Sequence, residues 1–248
     1  MRLLRFARVG FELALIAVIA FLLYRGAVPA PQVRDEAITG VPTREKVVAL
    51  TYDDGPHPDF TPAILDTLEK YHVKATFFMI GERMLKYPQI VERAVAAGHA
   101  IGNHTYTHPH DLESLPSPKV IREIDDCEQL IEQMTGKRTQ IFRPPRGLVN
   151  GTVLRIARDE GYDTILWTVS ADHHDAPTPE AMAKRVLAHV KPGAIILAHD
   201  GTFASRINDV KAAPLIIEEL QRRGYRFVTV PELLRMANGN GGTADGHR

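Results

Sequence analysis

The sequence predicts an α/β fold, a single domain in which a parallel sheet closes or nearly closes into a barrel of seven strand–helix units. Three observations predict it. Short β-branched runs alternate with longer amphipathic stretches along most of the chain. Glycines stand just past several of those stretches, where a left-handed cap is expected. Residues able to do chemistry gather where the short runs end, which is where barrels of this kind carry their active sites.

The predicted strands are residues 46–52 (KVVALTY), 75–80 (ATFFMI), 100–103, 140–142, 164–169, 194–198 and 226–230. Helical patterns fall between them at 61–71, 83–98, 118–135, 151–160, 179–190 and 210–223. The third is the clearest, with Val120, Ile121, Ile124, Cys127, Leu130, Ile131 and Met134 spaced by three and four. Cys127 lies on that apolar stripe and is expected to be a buried, unreactive thiol. Gly98, Gly161 and Gly224 mark helix ends.

Outside the barrel the chain divides into three short pieces. Arg2, Arg5 and Arg8 precede an apolar run, so residues 1–30 are expected to be a signal peptide or, through residues 9–24, an uncleaved N-terminal membrane anchor. Residues 31–44 are polar and contain proline, as a linker does; the domain proper spans 45–236; and the glycine-rich tail 237–248 is expected to be disordered. This places the protein outside the cytoplasm, in the periplasm or cell envelope or secreted.

Composition narrows the function. The 248 residues are 44% apolar and 24% charged, with 30 Lys+Arg against 30 Asp+Glu. The first thirty residues hold four Arg and one Glu, which leaves 26 basic against 29 acidic. No basic surplus points to nucleic acid. With one cysteine, neither an intrachain disulfide nor a CxxC site can form.

Four motifs sit at strand ends. The first strand runs into Asp53-Asp54-Gly55-Pro56, where one carboxylate can bind a cation while its neighbour moves a proton; a turn-forming Asp pair is the plainer alternative. The third runs into His104 and His108, whose i, i+4 spacing on a helical turn would project both imidazoles to one side. With Asp54 they make a His₂Asp set suited to Zn²⁺, with Co²⁺ or Ni²⁺ as substitutes. The fourth ends in Arg143-Pro144-Pro145-Arg146-Gly147, a rigid turn, and the sixth in Leu197-Ala198-His199, a histidine placed to donate a proton.

In their order and wording these motifs resemble the NodB-type polysaccharide deacetylases, carbohydrate esterase family 4, from about Glu45 to Met236. The resemblance implies a distorted (β/α)₇ barrel and metal-dependent removal of N-acetyl groups from an envelope or extracellular polysaccharide containing N-acetylglucosamine. It implies Asp54, His104 and His108 as metal ligands, Asp53 as general base oriented by Arg143, and His199 as general acid. The backbone N–H of Arg146 would help stabilise the oxyanion, Leu197 would line the acetyl-methyl pocket, and Trp167 would border the groove.

Two departures stand out. The third motif usually has an aromatic residue where Arg146 stands, which brings a cationic side chain into the groove. The fourth motif is not intact: Ser170 falls where an Asp is usual, and His173-His174 replace Asp-Trp. Asp172 could assume the carboxylate's role by a one-residue shift, and His173 and His174 could line the site or contact a second metal. The altered motif keeps two other readings open, an O-acetyl esterase or non-sugar amidase on the same site, and a catalytically silent glycan-binding module. The expected partner is thus an acetylated polysaccharide. The oligomeric state is not encoded in any motif.

Overall fold

The computed structural model describes residues 36–172, 176–201 and 203–240, without the side chains of 238–240. The predicted export segment, His173, His174 and most of the predicted tail lie outside the described residues. Among the described residues, no helix is long and apolar enough to cross a membrane.

Eight strands form one parallel sheet: β1 (Val47–Gly55), β2 (Thr76–Met79), β3 (Ala100–Asn103), β4 (Ile141–Phe142), β5 (Asp163–Thr164), β6 (Val169–Ser170), β7 (Ala194–His199) and β8 (Arg226–Phe227). Their order is β5-β4-β3-β2-β1-β7-β6, and β8 pairs with Val47 and Val48 of β1. Since β7 occupies one edge of β1 from Val48 onward, β8 takes the other edge, ahead of where β2 begins pairing at Thr51. The helices are α1 (Phe60–Lys70), α2 (Gly81–Lys86), α3 (Pro88–Ala96), α4 (Ser117–Thr135), α5 (Gly151–Asp159), α6 (Pro179–His189), α7 (Ile207–Arg222) and α8 (Val230–Asn240). The architecture is a curled, parallel half-barrel surrounded by helices, as the seven-unit barrel reading expects.

Four local expectations are revised. The stretch 164–169 is two short strands rather than one. Thr164 still pairs with β4, but the Leu166 N–H turns to the Ile38 carbonyl and the carbonyls of Ile165 and Leu166 receive Arg143, so pairing resumes only at β6, now against β7. The pattern at 83–98 breaks at Pro88, which opens α3 because its ring cannot donate to the preceding turn. The chain after β8 forms α8, started by a reciprocal cap in which Glu232 accepts from the Thr229 N–H at 2.7 Å and Thr229 Oγ1 from the Glu232 N–H at 3.4 Å. The second half of the stretch read as a linker joins the fold: Ile38 bridges Ile165, Gly40 bridges Ala194, and Ile38 and Val41 are buried.

Strand alternation decides which side chains face inward. Along β1, Val48, Leu50 and Tyr52 pack under the helices, while Val47 and Ala49 join Phe78, Ile141 and Ile195 inside the curl. Leu233 and Leu234 of α8 fill that interior, and the Val230 N–H donates to Thr76 Oγ1 at the start of β2. The same parity carries inward Asp53 from β1, Arg143 just beyond β4, and His199 at the end of β7.

Candidate active site

Asp53 is 4% exposed and Arg143 is fully buried. Every nitrogen of the guanidinium is engaged: Nη1 donates to Asp53 Oδ1 at 2.6 Å and to Thr51 Oγ1 at 2.8 Å, Nε to the Ile165 carbonyl and Nη2 to the Leu166 carbonyl. It also lies 4.1 Å from the centre of the Phe78 ring. Burial pulls the Arg143 pKa down, and the adjoining Asp53 charge opposes that. One carboxylate oxygen of Asp53 is thereby fixed, and the other, Oδ2, faces the histidine pair at 3.9 Å from His104 Nε2.

Asp54 Oδ1 stands 3.4 Å from His104 Nε2 and 3.2 Å from His108 Nε2. One ligating atom from each of the three residues falls within 4.8 Å of the others. The Nδ1 of His104 meets the Arg143 carbonyl at 2.7 Å. A carbonyl only accepts, so Nδ1 carries the proton and the Nε2 lone pair is left pointing at Asp54. That is the tautomer a metal needs, and the donor set fits a divalent cation. Burial alone would raise the Asp54 carboxyl; where the imidazoles of His104 and His108 are instead protonated at Nε2, their hydrogen bonds outweigh it and hold the group well below the usual carboxylate range. Burial likewise opposes protonation of His104, and the charges of Asp53 and Asp54 reverse that, raising its pKa.

The two histidines do not lie on a helical turn. Residues 104–108 are an irregular loop in which Thr105 (φ 66°) and His108 (φ 58°) take left-handed backbone. Glu123 of α4 clamps that loop by accepting from the backbone N–H groups of Tyr106 and Thr107 and from Thr107 Oγ1. Asp54 (φ 71°) and Arg146 (φ 60°) are also left-handed, so four of the five non-glycine residues with positive φ among the described residues surround this site. Each such residue stores on the order of 1–3 kcal/mol, retained because the surroundings over-determine it.

His199, Asp172, Leu197, Trp167 and Arg146 line the same cavity as Asp53, Asp54, His104 and His108. Gly147 (φ 68°) lies so close to Trp167 that a Cβ would come within 2.4 Å of its ring, which binds the Pro-Pro turn to the groove wall. Asp172 is not the partner of Arg143. It reaches the other side of the site, with Oδ2 bonded to Arg206 and 3.6 Å from His199 Nδ1. Ser170 Oγ donates to the Asp172 carbonyl at 2.6 Å, shaping the turn that presents it. Burial, then the Arg206 charge, lowers the His199 pKa against the pull of the surrounding carboxylates. Buried Arg206 and Asp209 went unnoticed in the sequence; Asp209 accepts from the His199 N–H at 3.0 Å and lies 3.7 Å from Arg206. They follow His199 by seven and ten residues, in no short motif that would signal them. His57 stays out of the cluster, stacked on Phe60 with its Nδ1 accepting from the Asp59 N–H.

Comparison with known proteins identifies the family. The profile of the polysaccharide deacetylase family matches residues 40–165. A peptidoglycan-N-acetylglucosamine deacetylase of Bacillus cereus is 42% identical over 197 residues, covering 79% of this chain and 91% of the relative. The crystal structure of a peptidoglycan N-acetylglucosamine deacetylase superposes with a TM-score of 0.75 at 35% identity, covering 79% of this chain and 91% of the other. A carbohydrate esterase family 4 pseudoenzyme from Bacillus anthracis gives 0.74 at 31% identity, covering 82% of this chain and 70% of that one. The fold alone therefore does not establish turnover, and the site residues must carry that argument.

Proposed function

The chain belongs to the polysaccharide deacetylase family, hydrolases that act on carbon–nitrogen bonds, and from that premise we propose that it removes N-acetyl groups from N-acetylglucosamine units of peptidoglycan or a related envelope glycan. One observation carries the reading: a His₂Asp donor set lies directly beside a buried carboxylate that an arginine fixes by one oxygen. Asp54, His104 and His108 would hold a divalent cation, for which Zn²⁺ suits the donors best, with Co²⁺ or Ni²⁺ as substitutes. When bound, that cation supplies Lewis acidity toward the acetyl carbonyl and the attacking water.

The remaining chemistry belongs to the chain. Asp53 takes the proton of the attacking water on Oδ2 while Arg143 holds Oδ1, which keeps the carboxylate aimed. The tetrahedral oxyanion receives the backbone N–H of Arg146, set by the rigid Pro144-Pro145 turn. As the C–N bond breaks, His199 passes its proton to the departing amine, with Asp172 beside its Nδ1 to orient the ring. Leu197 borders the acetyl methyl and Trp167 the sugar. Action on an envelope glycan requires export, for which residues 1–30 are the segment we assign.

The test is acetate release from peptidoglycan and from N-acetylglucosamine oligomers by metal-stripped and Zn²⁺- or Co²⁺-restored protein. Metal-dependent release is expected. Tight metal binding without acetate from any glycan would move the assignment to esters or small amides, or to a silent glycan-binding module.

A further inference from the structure

Asp200 directly follows His199, yet the chemistry proposed for the site does not use it. Its side chain is fully buried and does not line the cavity. Its backbone N–H donates to the Asp53 carbonyl at 3.0 Å. Its Oδ2 accepts from Thr61 Oγ1, in the first turn of α1, at 2.6 Å. Thr61 is fully buried as well, and the same hydroxyl oxygen accepts the His57 N–H at 2.8 Å. The turn from Asp53 to His57 is therefore tied to Asp200 at both ends, by the backbone at the first residue and through Thr61 at the last.

Two glycines let the ends of β1 and β7 interlock. A Cβ on Gly55 would strike the Asp200 carboxylate, and a Cβ on Gly201 would strike the Asp54 side chain. Neither glycine has positive φ, so close approach is what each position requires. Between them Asp54 takes φ 71°, a conformation that a residue with a side chain keeps only where its surroundings over-determine it. Asp200 and Gly201 supply that constraint from the β7 side, and the Ile80 N–H holds the Gly55 carbonyl at 2.9 Å from the β2 side. Among the described residues no cation pairs with Asp200. A buried carboxylate without one is a costly way to gain stability alone, and an apolar side chain would serve that end better. What the carboxylate adds is a directed acceptor for Thr61.

We propose that Asp200, acting through Thr61, is a positioning residue for the Asp53–His57 turn, and that it holds Asp54 in the backbone conformation that aims its carboxylate at His104 and His108. The inference rests on the reading of Asp54, His104 and His108 as the metal set. It deepens that reading by naming what fixes the carboxylate ligand, and it places the support on the strand that carries His199.

The experiment measures Zn²⁺ affinity by chelator competition in the full-length protein and in Asp200→Ala, Thr61→Val and Asp200→Asn. The Co²⁺-loaded forms are compared by visible absorption, which reports the geometry of the ligands. Thr61→Val keeps nearly the same shape and leaves Asp200 in place. It therefore separates the hydrogen bond from the charge, and it stands in for Asp200→Ala if that variant does not fold. Asp200→Ala and Thr61→Val should each weaken Zn²⁺ binding by roughly 10- to 100-fold, the usual effect of losing support behind a ligand, and should shift the Co²⁺ bands. The double variant should be no weaker than Asp200→Ala alone, because both changes break one contact. Asp200→Asn keeps an acceptor for Thr61 and should bind within about threefold of wild type. A lower melting temperature of the metal-free variants, with Zn²⁺ affinity and Co²⁺ bands unchanged, makes the contact merely structural and overturns the proposal. An Asp200→Asn variant as weak as Asp200→Ala overturns it too, by assigning the effect to charge. Acetate release by the wild type is scored separately. Release with affinities unmoved by the variants defeats only the positioning role, and the expected affinities without release from any glycan defeat only the deacetylase reading.

Discussion

In the proposed mechanism Asp53 concentrates the chemistry in one side chain, and its two oxygens have different duties. Asparagine at this position can still accept from Arg143, so Asp53→Asn leaves the guanidinium partnered while removing the proton acceptor. Acetate release should fall by roughly 10²- to 10⁴-fold, with the metal content of the purified variant unchanged. A variant that lost its metal as well would show that Asp53, not only Asp54, holds the cation. His99 offers a second prediction at this scale, remote from catalysis. Its Nδ1 accepts the Ala75 N–H at 3.1 Å and its ring meets Phe77 edge-on, and burial drops its pKa to about 4. The unfolded chain then binds this proton near pH 6.5 while the folded chain resists it down to about pH 4. The stabilising contribution is complete above the unfolded value and is lost as pH falls through that window, roughly 2–3 kcal/mol in all. Urea midpoints taken at pH 7.5 and 5 should differ less in His99→Asn, which keeps an acceptor for the Ala75 amide but cannot titrate.

At the scale of elements, the histidine loop shows why the site was only partly legible in the sequence. The residues of the candidate metal set could be picked out because Asp54, His104 and His108 sit at strand ends, and strand parity directs Asp53, Arg143 and His199 to one interior. The loop's shape could not be, because two residues in left-handed backbone and a clamp from Glu123, fifteen residues past His108, leave no local signature. The split of the 164–169 stretch was hidden for the same reason: it depends on Ile38 and Arg143, both distant in sequence. Two other features were there to be seen, the Pro88 break and the Thr229–Pro231–Glu232 start of α8. The clamp makes a direct prediction. Glu123→Ala frees the Thr107 amide and hydroxyl, while the Tyr106 N–H keeps the backbone carbonyl of residue 123 at 2.9 Å; with that support gone from the loop between the two proposed histidine ligands, Zn²⁺ affinity should weaken by roughly 10- to 100-fold, the usual effect of losing support behind a ligand. Competition with a chromophoric chelator measures it, and an affinity within twofold of wild type would show that the loop holds its shape without Glu123.

Over the whole molecule, the residues proposed for catalysis and metal binding come from strand ends far apart in the chain: Asp53 and Asp54 from β1, the histidines after β3, Arg143 after β4 and His199 from β7. The unfolded chain has no such constellation, so a cation that binds it must stabilise the folded state. At a free concentration of about 100 times Kd the gain is about 2.7 kcal/mol, which for a chain of this size raises the melting temperature by roughly 5–10 °C. His104→Ala should lose that response, since it deletes the one ligand whose tautomer the Arg143 carbonyl sets. The far end of the barrel supplies the control. The Val41 N–H donates to the Gly193 carbonyl at 2.9 Å, and at Gly193 (φ 77°) a Cβ would fall 1.8 Å from the Val41 oxygen. Gly193→Ala must therefore push residues 38–41 off the sheet, and it should lower the melting temperature of metal-free and metal-loaded protein by the same amount. If Gly193→Ala also diminished the rise on adding Zn²⁺, the 38–41 segment would be acting on the site through the sheet. An undiminished rise makes barrel closure and metal binding independent contributions to one stability.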